Sequence, residues 1–513
     1  MIFGRVKSLD AILATAEKKG LHRSLGAFQL TMLGIGAVIG TGIFVLTSEA
    51  AQKAGPAMML SFVLAGFVCA VAALCYSELA SMVPVAGSAY TYTYAVMGEL
   101  LAWMVGWALV LEYAIGASAV AVGWSGYLVG LLDNSLGIHI PDALANGPSA
   151  GGIVNLPAIV IAGLVTWLLV VGTTESARVN AALVVIKVAA LTLFVALSIP
   201  VIRMDHFQPL FPTGIGGMAG AAASIFFAYV GFDAVSTAAE ETRDPQRNVP
   251  IGLIGSLVFC TIFYLLVAAG AIGATDNVAF AQPVRDAAGT LLAPGTSQLT
   301  ARCAELAGIG QEPLSCSREA LAHVLRENGW VKVGNLIGLA AFLALPSVVL
   351  MMMFGQIRVF FAMARDGLLP AKLASIHPRF RTPHVMTIVT GLVVMLAAAF
   401  LPVGRLADVS NGGTLFAFAM VAASVMVLRR TDPTRHRPFR TPAVYVVGTL
   451  AVVGCVYLYY SLPMMAKVFP LIWGAGGLLI YFLYSRSRSH VGRGIVDVVD
   501  DPSMQPETSR PLH

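Results

Sequence analysis

The chain has 513 residues, of which 57% are hydrophobic and only 12% charged, with a mean hydropathy of +0.80. An average soluble protein is about 45–50% apolar and about 25% charged, so these proportions exclude a soluble enzyme, a disordered chain and a disulfide scaffold. The net charge of +5 is modest and the basic residues form no single stripe, which excludes a nucleic-acid partner.

The first 27 residues are polar, carry acidic groups and lack an early apolar run, so they do not read as a signal peptide. Leu9, Ile12, Leu13 and Ala16 follow Ser8 at helical spacing, which predicts an amphipathic arm on the membrane surface. A bilayer core of about 30 Å needs about 20 apolar residues in helix. Runs of that kind fall near 28–50, 57–83, 99–130, 153–172, 180–200, 217–240, 249–272, 334–360, 385–403, 406–428, 441–463 and 466–484. Lipid offers no partner to free amides and carbonyls, so each run must be helical. The expected fold is an all-α polytopic membrane protein of about twelve spans. Its divisions are an arm at 1–27, five spans at 28–200, five more at 217–428 with a polar insertion at 273–333, two final spans at 441–484, and a tail at 485–513.

An even number of spans puts both termini on one side. That side holds 22 of the 32 Lys and Arg residues and the opposite side 9, which predicts cytoplasmic termini. Cys69, Cys75, Cys260 and Cys455 lie in apolar runs and read as small hydrophobes. Cys303 and Cys316 share the insertion, and whether they pair stays open without Cα geometry.

All nine histidines fall in loops or tails, and no His-Glu-x-x-His occurs, so an intramembrane metalloprotease is excluded and no metal or cofactor is expected. The ionisable groups noted within spans are Glu78, Glu112, Lys187 and Asp233, with Glu240 and Glu241 at a span end. Charge there is expensive, about 2.5–3.5 kcal/mol for Lys or Asp at mid-helix, so each needs a reason. Lys187 lies roughly 10 Å into its span at about 1.5 Å per residue. It either snorkels to the interface or is a buried amine that exchanges a proton during a working cycle. Glu112 is either a structural acid bonded to a neighbouring helix or part of the same route. Glu78 reads as a structural or gate contact. Asp233 either caps a helix or meets substrate.

The first span carries Gly34-Ile-Gly-Ala-Val-Ile-Gly-Thr-Gly-Ile-Phe. A nicotinamide fingerprint needs a preceding strand, and both flanks here are membrane helix. Gly36 and Gly40 suit close helix packing. Neither reading accounts for Gly40-Thr41-Gly42 at mid-span, since each glycine costs about 1 kcal/mol of helix stability against Ala. Unwinding there exposes N–H groups at the positive end of a second half-helix, where they suit a carboxylate. The sixth span repeats the plan around Gly231, and the freed carbonyls of Phe227, Ala228 and Val230 suit an ammonium. Interrupted spans one and six, in corresponding places of two five-span halves, are the pattern of inverted-repeat transporters. A free amino acid supplies both poles.

These stretches, with Lys7-Ser-Leu-Asp, Ser77-Glu-Leu-Ala, Pro84-Val-Ala-Gly-Ser-Ala-Tyr, Phe227-Ala-Tyr-Val-Gly-Phe-Asp, Glu240-Glu-Thr-Arg-Asp-Pro and Met363-Ala-Arg-Asp-Gly-Leu-Leu-Pro, resemble the amino acid–polyamine–organocation superfamily. Within it the chain is most similar to the bacterial branch of the cationic amino acid transporter family, over about residues 7–430. The resemblance implies a five-plus-five inverted-repeat core with two extra helices. It implies a substrate carboxylate on Thr41 and Gly42, and an amine on carbonyls of Val38 or Ile39, Phe227, Ala228 and Val230. It gives Lys187 the place of a lysine that stands in for a sodium ion in proton-coupled relatives, and Glu112 that of an acid linked to the same coupling. It also implies a small single-span membrane subunit as partner.

Two departures stand out. Met352 occupies a pocket edge where animal members that carry arginine and lysine have a small residue, and it either shortens the pocket or is ordinary core. The 273–333 insertion is unusually long for bacterial members. The expected function is proton-coupled uptake of small to mid-sized neutral L-amino acids across the plasma membrane. An exchanger and a cationic amino acid transporter are alternatives. A non-transporting sensor is more remote, because no large soluble signalling domain is present. A membrane enzyme lacks a nucleophile–base pair.

Overall fold

The computed structural model describes residues 5–7, 9, 12, 25–83, 88–172, 177–380 and 382–494. Among these residues there are eight helices long and apolar enough to cross a membrane, and four shorter apolar ones at Ala27–Val38, Leu156–Val171, Gly214–Tyr229 and His384–Phe400. No strand forms among the described residues, only two isolated bridges. Among the described residues the long and the shorter apolar helices group into twelve candidate spans. Span 1 is Ala27–Val38 followed by Thr41–Phe44 and Leu46–Ala54; span 2 is Met58–Met82, span 3 Glu99–Leu131, span 4 Leu156–Val171 and span 5 Ala177–Ser198. Span 6 is Gly214–Ile225, a tighter turn at Phe226–Tyr229, and Ala234–Thr237. Spans 7 to 10 are Pro245–Gly273, Val331–Arg365, His384–Phe400 and Val403–Thr431. Spans 11 and 12 are Val444–Ser461 and Met464–Ile480.

Large apolar side chains such as Phe67, Trp167, Leu396, Leu471 and Leu483 stand exposed around the outside, while Thr41, Glu112, Lys187 and Asp233 are buried. That inversion is what a lipid solvent selects. Span 2 packs on span 7, span 3 on span 8, span 4 on span 9, and both halves of span 1 on span 6, the pairing that a five-plus-five repeat produces. Span 3 is the hub and also touches spans 4, 9, 10 and 12. Span 12 is fastened to it by a reciprocal tryptophan pair. Trp107 and Trp473 stack at 4.5 Å, and each donates its indole N–H to the other's carbonyl at 2.8 Å. In span 8, Pro346 has no N–H for Phe342 O, and Trp124 Nε1 donates to that carbonyl instead at 2.9 Å.

Hydropathy did not announce the helix Ser88–Val96 between spans 2 and 3. Its Ser-Ala-Tyr-Thr-Tyr-Thr-Tyr pattern alternates like a strand, yet Tyr90, Tyr92 and Tyr94 are all buried among spans 2, 3 and 10. Leu9 and Ile12 of the expected arm are buried in the core; Leu13 and Ala16 lie outside the described residues, as does the tail beyond residue 494. The insertion holds two helices, Ser297–Gly308 and Ala320–Glu327, and Cys303 and Cys316 are bonded across a Cα separation of 5.5 Å.

Candidate functional site

Span 1 stops at Val38 and restarts at Thr41. Ile39 takes an extended ψ of 96°, Gly40 sits at φ −146°, ψ −147°, and the first amide of the second half to find a helical acceptor is that of Phe44, on Gly40 O at 3.4 Å. The amides of Thr41, Gly42 and Ile43 therefore precede the helix's own hydrogen bonds. Span 6 stops at Tyr229, and Gly231 takes φ +111°, a conformation that a side chain strains. The two breaks cross antiparallel. A Cβ on Gly42 would overlap the backbone of Ala228, and one on Gly231 would come within 2.9 Å of Ala37 O.

Thr41, Gly42, Val38, Ile39, Phe227, Ala228 and Val230 thus meet in one place, all buried. Thr41 Oγ1 has no hydrogen-bond partner there among the described residues. Met352 joins them: a Cβ on Gly116 of span 3 would meet Phe227 at 3.5 Å, Met352 Sδ at 3.7 Å and Ser410 Oγ at 3.3 Å. Val348, one helical turn from Met352, faces Gly40. Met352 therefore borders the crossing rather than lipid.

Sequence patterns gave no hint of Tyr264. From span 7 its hydroxyl reaches Val38 O at 2.8 Å and Ala228 O at 2.9 Å, one carbonyl from each break. Tyrosine is unremarkable in an apolar run, so only the three-dimensional crossing singles it out. Tyr264→Phe removes the single hydroxyl proton that these two buried carbonyls share, a penalty of about 1–3 kcal/mol where no water replaces it. We expect a lower unfolding midpoint and at least a fivefold rise in substrate KM; an unchanged KM would show that Tyr264 does not set the crossing.

Lys187 does not snorkel. It is 1% exposed, and its Nζ donates to Gly36 O at 2.9 Å and approaches Ser347 Oγ at 3.5 Å. Gly36 lies in the last turn of the first half-helix, so the amine stands at the negative end of that dipole. Glu112 is grouped elsewhere. It is 1% exposed beside Thr414, whose hydroxyl is directed to Ser410 O, and no donor reaches either carboxylate oxygen among the described residues. Asp233 is within its electrostatic reach and accepts from Tyr113 at 3.3 Å and Ser88 at 3.4 Å. Asp233 occupies the N-cap position of Ala234–Thr237 but makes no side-chain cap bond. The idea of a capping carboxylate is therefore corrected: Asp233 turns to spans 3 and the Ser88 helix.

Polar contacts bridge the elements on either side of the crossing. On the insertion side Lys53 pairs with Asp408 at 3.0 Å, and Ser224 hydrogen-bonds both. On the side of the termini, Leu25 pairs with Glu241 and Arg243 through backbone bonds of 3.1 and 2.8 Å, which ties the start of span 1 to the end of span 6. Lys7 meets Asp366 at 2.7 Å, and Glu78 holds Arg429 at 2.7 Å and Arg437 at 3.2 Å, as its span-end position suggested.

A sequence model of the amino acid permease family matches residues 25–483. The chain belongs to the amino acid permease family. This permease is 43% identical over 96% of its length to the branched-chain amino acid permease of Bacillus subtilis, of which it covers 99%. It is 42% identical over 94% of its length to the methylthioribose transporter of the same species, covering 98% of it. It is 35% identical over 84% of its length to the vacuolar cationic amino acid transporter 2 of Arabidopsis thaliana, covering 63% of that longer protein. The superfamily resemblance read from the motifs holds, and the permease is a multi-pass membrane transporter rather than an enzyme.

Proposed function

We propose that this permease imports neutral, branched-chain-sized L-amino acids across the plasma membrane in symport with protons. The observation that carries the reading is the crossing of two broken helices, where the amides of Thr41 and Gly42 precede the hydrogen bonds of the second half-helix and the chain leaves helical geometry at Ile39 and Val230. A carboxylate and an ammonium match these ends. Phe227 and Met352 present apolar surface at the proposed side-chain end, which favours an aliphatic side chain over a guanidinium. The 43% relative is named for branched-chain amino acids, in keeping with that size. Lys187 on Gly36 O is the proposed coupling amine, and Glu112 with Asp233 a second proton-bearing pair. The excess of Lys and Arg beside the termini, and the Cys303–Cys316 bond on the opposite side, support cytoplasmic termini and an outward-facing insertion.

The 42% methylthioribose relative favours a second reading, a thioether sugar as cargo. A ribose has no carboxylate for the Thr41 and Gly42 amides and no ammonium for the carbonyls. A thermal-shift panel of the twenty amino acids and methylthioribose on purified protein separates the two. We expect leucine, isoleucine and valine to give the largest shifts, since a ligand at 100 times its Kd adds about 2.7 kcal/mol to the folded state. Arginine or lysine as best stabiliser would overturn the Met352 argument, and methylthioribose as best would establish the second reading.

A further inference from the structure

We infer that Gln52 is a latch through which the 273–333 insertion holds the outer half of span 1 closed over the site. Gln52 belongs to Leu46–Ala54, which continues the outer half of span 1 beyond the short helix Thr41–Phe44 that carries Thr41 and Gly42, and it is 1% exposed. Its amide is fully engaged with the insertion: Nε2 donates to Val284 O and to Leu292 O, and Oε1 accepts from Val284 N–H, each at 2.8 Å. No other side chain of that half-helix grips the insertion by three hydrogen bonds among the described residues.

The part it grips is prefolded. Residues 284–292 form a small hairpin, with Leu292 N–H donating to Val284 O and Asp286 N–H to Thr290 O, and Asp286 Oδ1 accepting from the amides of Ala288 and Thr290. Val284, Leu292 and Leu299 make a core of their own, separate from the main one, packed against Leu306 and the bonded Cys303 and Cys316. Leu314–Cys316, the segment carrying the second cysteine, lies against the same half-helix. The far end of the insertion is anchored to the body. Ala320–Glu327 packs on span 8, and Glu319 bonds Arg326 at 3.2 Å and Asn134 of the loop after span 3 at 3.4 Å. Burial pushes the Glu319 carboxyl above its ordinary value, against the pull of Arg326. The insertion is thus a stapled unit, fixed to span 8 at one end and to the half-helix by Gln52 at the other.

Gln52 lies ten residues beyond Gly42, about 15 Å along a helix at about 1.5 Å per residue. The Gly40 break supplies a pivot below it. For the half-helix to tilt outward, the hairpin must give up three hydrogen bonds to Gln52, which leaves Leu292 O and the Val284 amide without that partner while Val284 O keeps Leu292 N–H, so the latch weights the equilibrium toward the closed form. Lys53, the next residue, makes the Asp408 ion pair on another face of the same turn. The inference rests on the transporter reading but not on which substrate is carried.

The test labels a cysteine at the site and needs no substrate. Thr41→Cys is placed in the wild-type background, where Cys69, Cys75, Cys260 and Cys455 are buried and the chain without the reporter gives the baseline. Reconstituted vesicles of each orientation are treated with a membrane-impermeant maleimide. Adding Gln52→Ala or Gln52→Glu should speed labelling from the insertion face about tenfold and slow it from the face of the termini. The pair Cys303→Ser with Cys316→Ser should shift labelling the same way, and combining it with Gln52→Ala should add nothing. An unchanged or slower rate from the insertion face overturns the latch, as does equal acceleration from both faces, which marks a loosened fold. The amino acid panel is unaffected by either result, so failure of the latch and failure of the substrate reading are told apart.

Discussion

Lys187→Met is expected to abolish accumulation driven by a pH gradient while substrate counterflow persists. Methionine keeps the length and apolar stem of lysine and leaves no large void, so the fold should stand. What it removes is the proton-carrying group on Gly36 O, in the last turn before the break. The carbonyls proposed to meet a substrate ammonium lie only two or three residues further on, at Val38 or Ile39. Symport requires both to be loaded in the same conformational state, so protonation of the amine on Gly36 O and binding of substrate at the break must each favour the other. That reciprocity is a coupling free energy between sites. With one proton per substrate, each pH unit supports about tenfold accumulation, because about 1.4 kcal/mol is a factor of ten. Proteoliposome uptake with an imposed gradient measures it. Undiminished accumulation by the Met variant would reduce Lys187 to a tether between spans 1, 5 and 8.

The parts of this molecule visible in its sequence are those where a residue violates its surroundings. Paired glycines at mid-span, and a lysine in an unbroken aliphatic run, are expensive in lipid and so announce themselves. Asp408 is buried and Glu49 half-buried, but both sit within a turn or so of a span end, where a charge reads as interfacial and breaks no local rule. Lys53 reads as a loop residue and is half of an ion pair with Asp408. Tyr264, Gly116 and Gln52 break no local rule at all, and their roles come from what lies across from them. The insertion is polar and of mixed composition, so its separate core could not be read before the hairpin and the Cys303–Cys316 bond were placed in space.

The largest steric effect is expected at Gly42→Ala. The added methyl falls on the Cα of Ala228, and backbone cannot rotate away as a side-chain tip can. The spans must separate at the crossing, and in the proposed site a two-ended zwitterion cannot bridge a gap set to the wrong width. Misplacing such contacts by about 1 Å costs about a hundredfold in comparable sites. Transport should therefore fall by at least about that factor and the ligand-induced thermal shift should vanish. Gly231→Ala should do the same by a different route. Its φ of +111° costs about 1–3 kcal/mol for a residue with a side chain, and the new Cβ would press on Ala37 O. Gly476→Ala is the control: it lies in span 12 with open space around its Cβ position and should transport within twofold of wild type. Normal uptake by Gly42→Ala, with the control also normal, would mean that substrate is held somewhere other than between the two breaks.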